Sequence, residues 1–179
     1  TGPATLAGRY MRRFWQPVYV SERLKEGQAT PIRIMSEEFT LYRGASGTPY
    51  VVGFRCAHRG TQLSIGWVEE DCIRCFYHGW KYDGTGQCVE QPAENASFAS
   101  KVKIRSYPTH EYLGLIFAYL GEGIAPPFPR YPQLETEGVV DVSSYIRHCN
   151  YFKTLENGVD QAHVPFTHAK SNFTKFGLN

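Results

Sequence analysis

The sequence has no long hydrophobic run. Its longest apolar stretch, Leu113 to Leu120, is interrupted by Gly114 and falls far short of the ~20 residues a membrane-crossing helix needs. The first apolar segment also lacks the charged, apolar, small-residue order of an export signal. No basic block or stripe is present: 19 Lys and Arg and 17 Asp and Glu are spread along 179 residues, for a formal charge of +2. Membrane and nucleic acid are therefore both poor partners to expect. No internal repeat or low-complexity tract occurs. A paired set of cysteines is missing too. Five, at Cys56, Cys72, Cys75, Cys88 and Cys149, is an odd number, which argues against a complete disulfide framework and for a reducing compartment, the cytoplasm. With 42% hydrophobic and 15% aromatic residues, what remains has the composition of a soluble domain of ordinary size, or of one domain and part of another.

What is present first is a series of short strands. Ile32 to Met35, Phe39 to Tyr42 and Tyr50 to Phe54 are brief runs of β-branched and aromatic residues, and Gly44 to Gly47 and Asp83 to Gly86 supply turns. Lys101 to Tyr107 and Tyr112 to Leu120 read as two more strands, the second apolar enough to be buried on both faces. The spacing predicts an antiparallel, mainly β unit. Pro126, Pro127, Pro129 and Pro132 then crowd into seven residues, which neither a helix nor a central strand tolerates, so a domain boundary is expected there. Beyond it, Val139 to Phe152 reads as a strand and Lys153 to Val164 as a helix ended by Pro165.

Two cysteines and two histidines stand at metal-ligand spacing. Cys56-Ala57-His58-Arg59-Gly60 and Cys75-Phe76-Tyr77-His78-Gly79-Trp80 form C-x-H, sixteen residues, C-x-x-H. Two thiolates and two imidazoles can hold zinc tetrahedrally. Zinc fingers usually pair Cys with Cys and His with His, however, whereas each loop here offers one of each. That interleaving suits a two-iron cluster gripped from opposite sides, each loop giving Cys to one iron and His to the other.

The two loops resemble those of the Rieske [2Fe-2S] proteins, in the version found in Rieske-type non-haem iron oxygenases. The resemblance implies that Cys56 and Cys75 hold an inner iron and His58 and His78 an outer one, with Gly60 and Gly79 letting the backbone turn closely around the cluster. Two neutral imidazoles in place of two thiolates make reduction easier: Rieske potentials run from about −150 to +300 mV, against about −400 mV for plant-type clusters. High-potential relatives carry an extra cysteine in each loop and a serine after His-Gly. Here Thr61, Tyr77 and Trp80 stand at those places, so the expected potential lies at the low end, without a disulfide. Cys72, Cys88 and Cys149 fit no ligand slot and are expected as buried free thiols; His110 and His148 are expected to be structural or superficial.

A second constellation follows. Asn157-x-x-Asp160-x-x-His163-x-x-x-x-His168 matches the mononuclear iron motif in the catalytic domain of Rieske oxygenases, and Arg147 to Glu156 resembles the branch that includes phthalate dioxygenase. Asp160 and His163 share a helix face. His163 and His168, five apart, lie about 140° apart on an ideal α-helix, so Pro165 is expected to break the helix and let the second imidazole swing round. Two histidines and one carboxylate with open positions are the signature of non-haem Fe(II) oxygenases. By the resemblance, His163 and His168 are the imidazole ligands and the carboxylate is an Asp far downstream. No acidic residue follows His168, and the expectation is that this is the N-terminal part of a longer chain. The resemblance makes Asp160 a bridge, hydrogen-bonded to His163 and to the outer Rieske histidine of a neighbouring subunit, and places Asn157 near the iron.

The resulting expectation is a Rieske [2Fe-2S] domain followed by the truncated start of an α+β catalytic domain: an N-terminal segment at residues 1–13, a Rieske domain at 14–122, a Pro-rich linker at 123–138, and the incomplete catalytic domain at 139–179. The implied function is that of an oxidoreductase: the oxygenase component, inactive as this piece alone. Its cofactors are a [2Fe-2S] cluster and a mononuclear Fe(II), with electrons from NAD(P)H through a separate reductase, directly or by a ferredoxin. The implied chemistry is O2-dependent hydroxylation or demethylation of an organic, aromatic substrate in a homotrimer or a multiple of one, as in aromatic hydrocarbon catabolism. The alternative is a Rieske ferredoxin, a bare electron carrier, which should end near Gly121 and lack the second motif.

Overall fold

In a computed structural model the described residues are 1–173, with side chains described through His168; residues 174–179 of the expected catalytic segment lie outside them. Contacts divide the chain into two compact units, Thr1–Ser143 and Ser144–Asn179.

The first unit is built from three antiparallel sheets. A short helix α1 (Leu6–Met11), capped by the Thr5 hydroxyl accepting from Gly8 N–H, precedes β1 (Trp15–Val20). The central sheet contains β2 (Ala29–Ile34), β3 (Glu37–Arg43), β4 (Pro49–Gly53) and β9 (Ser106–Tyr107), in that order. A second sheet orders β5 (Trp67–Glu69), β6 (Cys72–Arg74), β7 (Lys81–Tyr82) and β8 (Cys88–Glu90). The third sets β11 (Leu115–Tyr119) between β1 and β10 (Thr109–Tyr112).

The central sheet is buried on both faces, and the period-two geometry of a strand explains how. Leu41 lies opposite Val51, and both join Val18, Phe39, Ile116 and Leu120 in one core. Their neighbours Tyr42 and Val52 point the other way, into a second core with Leu63, Ile73, Trp80 and Tyr82. Cys56 and Cys75 belong to that second core, so both cysteine–histidine loops are anchored in it.

The structure corrects several expectations. Tyr112 to Leu120 is not one strand: Leu113 and Gly114 both have positive φ and form the hairpin turn between β10 and β11. Lys101 to Tyr107 yields only the two-residue β9, preceded by a single turn of 3-10 helix at Ala99–Lys101. Residues 139–150 form no strand. Val139 and Ile146 are exposed, and no strand among the described residues pairs with this segment; unpaired, a strand leaves its N–H and C=O groups unmet. The Pro-rich segment packs with the first unit, where Phe128 stacks on His110 at 4.1 Å and meets Trp15 edge-on. His110 is thus a structural residue.

In the second unit α2 (Tyr151–Val159) ends six residues before Pro165. Asp160 caps it in an extended conformation, and its Oδ1 accepts from Ala162 N–H at 2.9 Å. A π-helical segment, Val164–Phe173, follows, with Pro165 in its first turn, where a missing N–H costs nothing.

Candidate metal centre

The two cysteine–histidine loops share one backbone frame. In the first, Cys56 N–H donates to Thr61 O at 2.8 Å and Gly60 N–H donates to Cys56 O at 2.9 Å. In the second, Cys75 N–H donates to Trp80 O at 2.8 Å and Gly79 N–H to Cys75 O at 3.1 Å. Both turns close on a glycine with φ near +70°: 72° at Gly60 and 74° at Gly79. A Cβ at Gly60 would meet nothing within 4 Å, so the requirement there is the left-handed backbone and not space. The frame presents histidine from two different positions, two residues after Cys56 and three after Cys75.

The frame buries the sulfurs and brings the imidazoles together. Cys56 and Cys75 are 3% and 2% exposed, while the His58 and His78 rings lie 4.6 Å apart, centroid to centroid. Trp80 stacks on His58, at 4.7 Å and 6° between planes. Burial pushes the Cys56 thiol up, opposed by the Tyr82 hydroxyl and the His58 backbone. Tyr82 Oη sits 3.2 Å from Cys56 Sγ and accepts from Ala57 N–H at 3.1 Å. Burial also raises the Tyr82 phenol well above its ordinary range. It therefore stays protonated, and beside a thiolate it is the donor.

The donors fit a two-iron cluster. His78 Nδ1 is buried without a hydrogen-bond partner, a costly state for a polar atom unless a ligand completes it. No three His, Cys, Asp or Glu side chains converge as a single-ion site among the described residues. Tetrahedral zinc needs all four donors at one point, whereas a two-iron cluster takes one Cys pair at one iron and one His pair at the other. All five cysteines are free. Cys88 is buried and Cys72 half-buried, but Cys149 is exposed, contrary to the expectation of a buried thiol: residues 143–150, which lead into α2, are all exposed.

A scan of protein-family models matches residues 14–108 to the Rieske [2Fe-2S] domain. The chain belongs to the Rieske [2Fe-2S] domain family. It is 34% identical over 174 residues to the oxygenase subunit of 5,5'-dehydrodivanillate O-demethylase of Sphingobium sp., covering 94% of this chain and 41% of that protein. It is 35% identical over 168 residues to the oxygenase subunit of phthalate 4,5-dioxygenase of Pseudomonas putida, covering 90% and 38%. Among solved structures it resembles an oxygenase–ferredoxin complex of carbazole 1,9a-dioxygenase, with a TM-score of 0.80, 29% identity, and coverage of 93% of this chain and 44% of that one. The chain spans about two-fifths of the length of these curated relatives. The mainly antiparallel β architecture is that of the Rieske domain.

The second constellation lies in the Ser144–Asn179 unit. His163 and His168 face each other with ring centroids 5.3 Å apart. Pro165 does not bring this about, since the break falls at Asp160 to Ala162. Winding does: a π-helix closes i→i+5, which turns residues five apart toward one face where an α-helix would separate them. Asp160 Oδ2 lies 3.3 Å from His163 Nδ1, within ion-pair range but too poorly aligned for a hydrogen bond, leaving that buried nitrogen unpartnered. Asn157 is exposed on α2, and Glu156 pairs with Lys153 at 2.8 Å.

Sequence reasoning passed over three residues at the Rieske loops. Tyr82 reaches Cys56 across 26 positions of sequence and left no local signal. Arg55 and Arg74 did leave one: an arginine directly precedes each cysteine.

Proposed function

We propose that this chain is part of the oxygenase component of a Rieske non-haem iron oxygenase. In this reading Cys56 and Cys75 hold the inner iron of the cluster, His58 and His78 hold the outer iron, and His163 and His168 are two ligands of a mononuclear Fe(II). The supporting observation is that one chain carries both a Rieske fold and, in a separate unit, a facing histidine pair with an orphaned Nδ1 beside a carboxylate. A bare electron carrier has no use for the second unit. When bound, the metals supply electron storage and O2 activation, directed at hydroxylation or demethylation of an organic, aromatic substrate. NAD(P)H is the electron source, through a separate reductase with or without a ferredoxin.

The chain's own residues do the positioning. The loop frame buries the thiolates and turns both imidazoles outward, toward the side from which electrons leave. Asp160 Oδ2 stands 3.3 Å from His163 Nδ1, so that a small side-chain rotation would form the hydrogen bond that orients the ring. Its second role is to meet His78 of a neighbouring copy in a trimer, and the family resemblance assigns Asn157 a place near the iron. The carboxylate ligand is an acidic residue outside this sequence. EPR of the dithionite-reduced natural protein should give a Rieske signal, and zinc as its only metal would end the reading. Asp160→Asn should keep both metals yet lose electron arrival at the mononuclear site in single turnover; full turnover would refute the bridge.

A further inference from the structure

The loops have a third point of likeness beyond their hydrogen-bonded frame. The residue before each cysteine is an arginine whose Nη1 donates to the carbonyl of the glycine that closes the same loop: Arg55 to Gly60 O at 2.9 Å and Arg74 to Gly79 O at 2.8 Å. Each glycine carbonyl sits one residue from the loop's end, where a small rotation of the peptide would re-aim the histidine. A guanidinium donating there is a charge-assisted hydrogen bond, stronger and more directional than a neutral one.

The two arginines are anchored unequally. Arg74 is mostly buried, with Nε and Nη2 on the Glu69 carboxylate at 2.8 Å each and Nη2 also on Glu90 at 2.7 Å. Lys81 closes the network on Glu69 at 3.4 Å. Arg55 is exposed, with its guanidinium over the Phe54 ring at 5.5 Å. Among the described residues, the second loop is therefore latched to β5 and β8, and the first only to itself.

We propose that Arg55 and Arg74 are a matched pair of positioning residues, each holding the closing glycine carbonyl of its loop so that His58 and His78 face the cluster in a fixed orientation. The inference rests on these histidines being cluster ligands. The bland account is that Arg74 is an ordinary surface ion pair, worth little. Among the described residues Arg55 has no such ion pair and keeps the same bond, which a surface ion pair leaves unexplained.

The test compares Arg55→Met, Arg74→Met, Arg74→Lys and Glu69→Gln in the natural full-length holoprotein. Readouts are the reduced-cluster EPR line shape, the midpoint potential and the rate of iron loss to a chelator. Arg55→Met and Arg74→Met should each broaden the EPR signal and speed iron loss by about tenfold, the low end of what loss of an outer-shell support costs a metal site. Arg74→Lys, which keeps the charge and one donor, should restore most of the retention. Glu69→Gln, which leaves the bond to Gly79 in place, should change little. Unchanged line shape and retention in Arg55→Met overturns the proposal even if Arg74→Met fails to fold, as does a Glu69→Gln effect equal to that of Arg74→Met. An unsubstituted holoprotein without a Rieske signal would instead overturn the ligand assignment beneath it.

Discussion

Tyr82 carries the sharpest consequence at the scale of single residues. Its hydroxyl donates to the sulfur of Cys56, and a donor to sulfur favours the reduced, more negative cluster. Removing it with Tyr82→Phe should lower the midpoint potential. A difference of about 1 kcal/mol between oxidation states, the size of an ordinary hydrogen bond, corresponds to on the order of 40 mV for one electron; a redox titration reads it directly. Cys56, His58, Cys75 and His78 were legible as a candidate constellation because ligand spacing is a local property. Tyr82 was not, since its contact joins β7 to a loop 26 residues earlier. The glycine latches lie between these cases: the arginines repeat visibly, but only coordinates reveal where their side chains go.

Among elements, the largest departure from sequence reasoning concerns the second histidine pair. Proline is a reliable sign that a helix changes, but it is equally at home in the first turn of a new helix, and that is its place here. The chain breaks earlier, where Gly158 and Val159 weaken the helix and the Asp160 side chain offers Ala162 N–H an alternative partner. The two readings predict different outcomes for Pro165→Ala. If proline swings the second imidazole round, iron content at the proposed mononuclear site collapses; with π-helical winding responsible, Pro165→Ala should retain that iron within about twofold by metal analysis of the natural protein. The strands went the other way. β2, β3 and β4 were readable from β-branched and aromatic runs between glycine turns, while the β10–β11 hairpin was hidden because Leu113 occupies a positive-φ position that normally advertises itself as Asn or Gly. The segment 139–150 has strand-like composition, but pairing is a tertiary property and no partner strand lies among the described residues.

For the whole molecule, carboxylates held by arginines set the response to acid. Arg74 hydrogen bonds draw Glu69 below its ordinary value. At Glu111 burial pushes upward, but Arg43 and Ser21 outweigh it and the net shift is also down. A carboxylate depressed in the folded state contributes stability that is fully present above its unfolded pKa of about 4.3, and that is lost as pH falls through the lower, folded value. Thermal unfolding followed by circular dichroism should therefore be nearly level above about pH 5 and fall away below about pH 4. Glu69→Gln should make that fall shallower. A midpoint that declines between pH 6 and 8 instead would point to histidines as the controlling groups.

The burial of Cys56 and Cys75 beside Leu63 and Ile73 also bears on how the protein is made. On the proposed ligand assignment, the atoms that would grip the inner iron are part of the hydrophobic core, so a cluster delivered from outside would have to part the loops that the core holds shut. Cluster insertion would then compete with core closure, since a metal bound by core residues adds its binding free energy to that of folding.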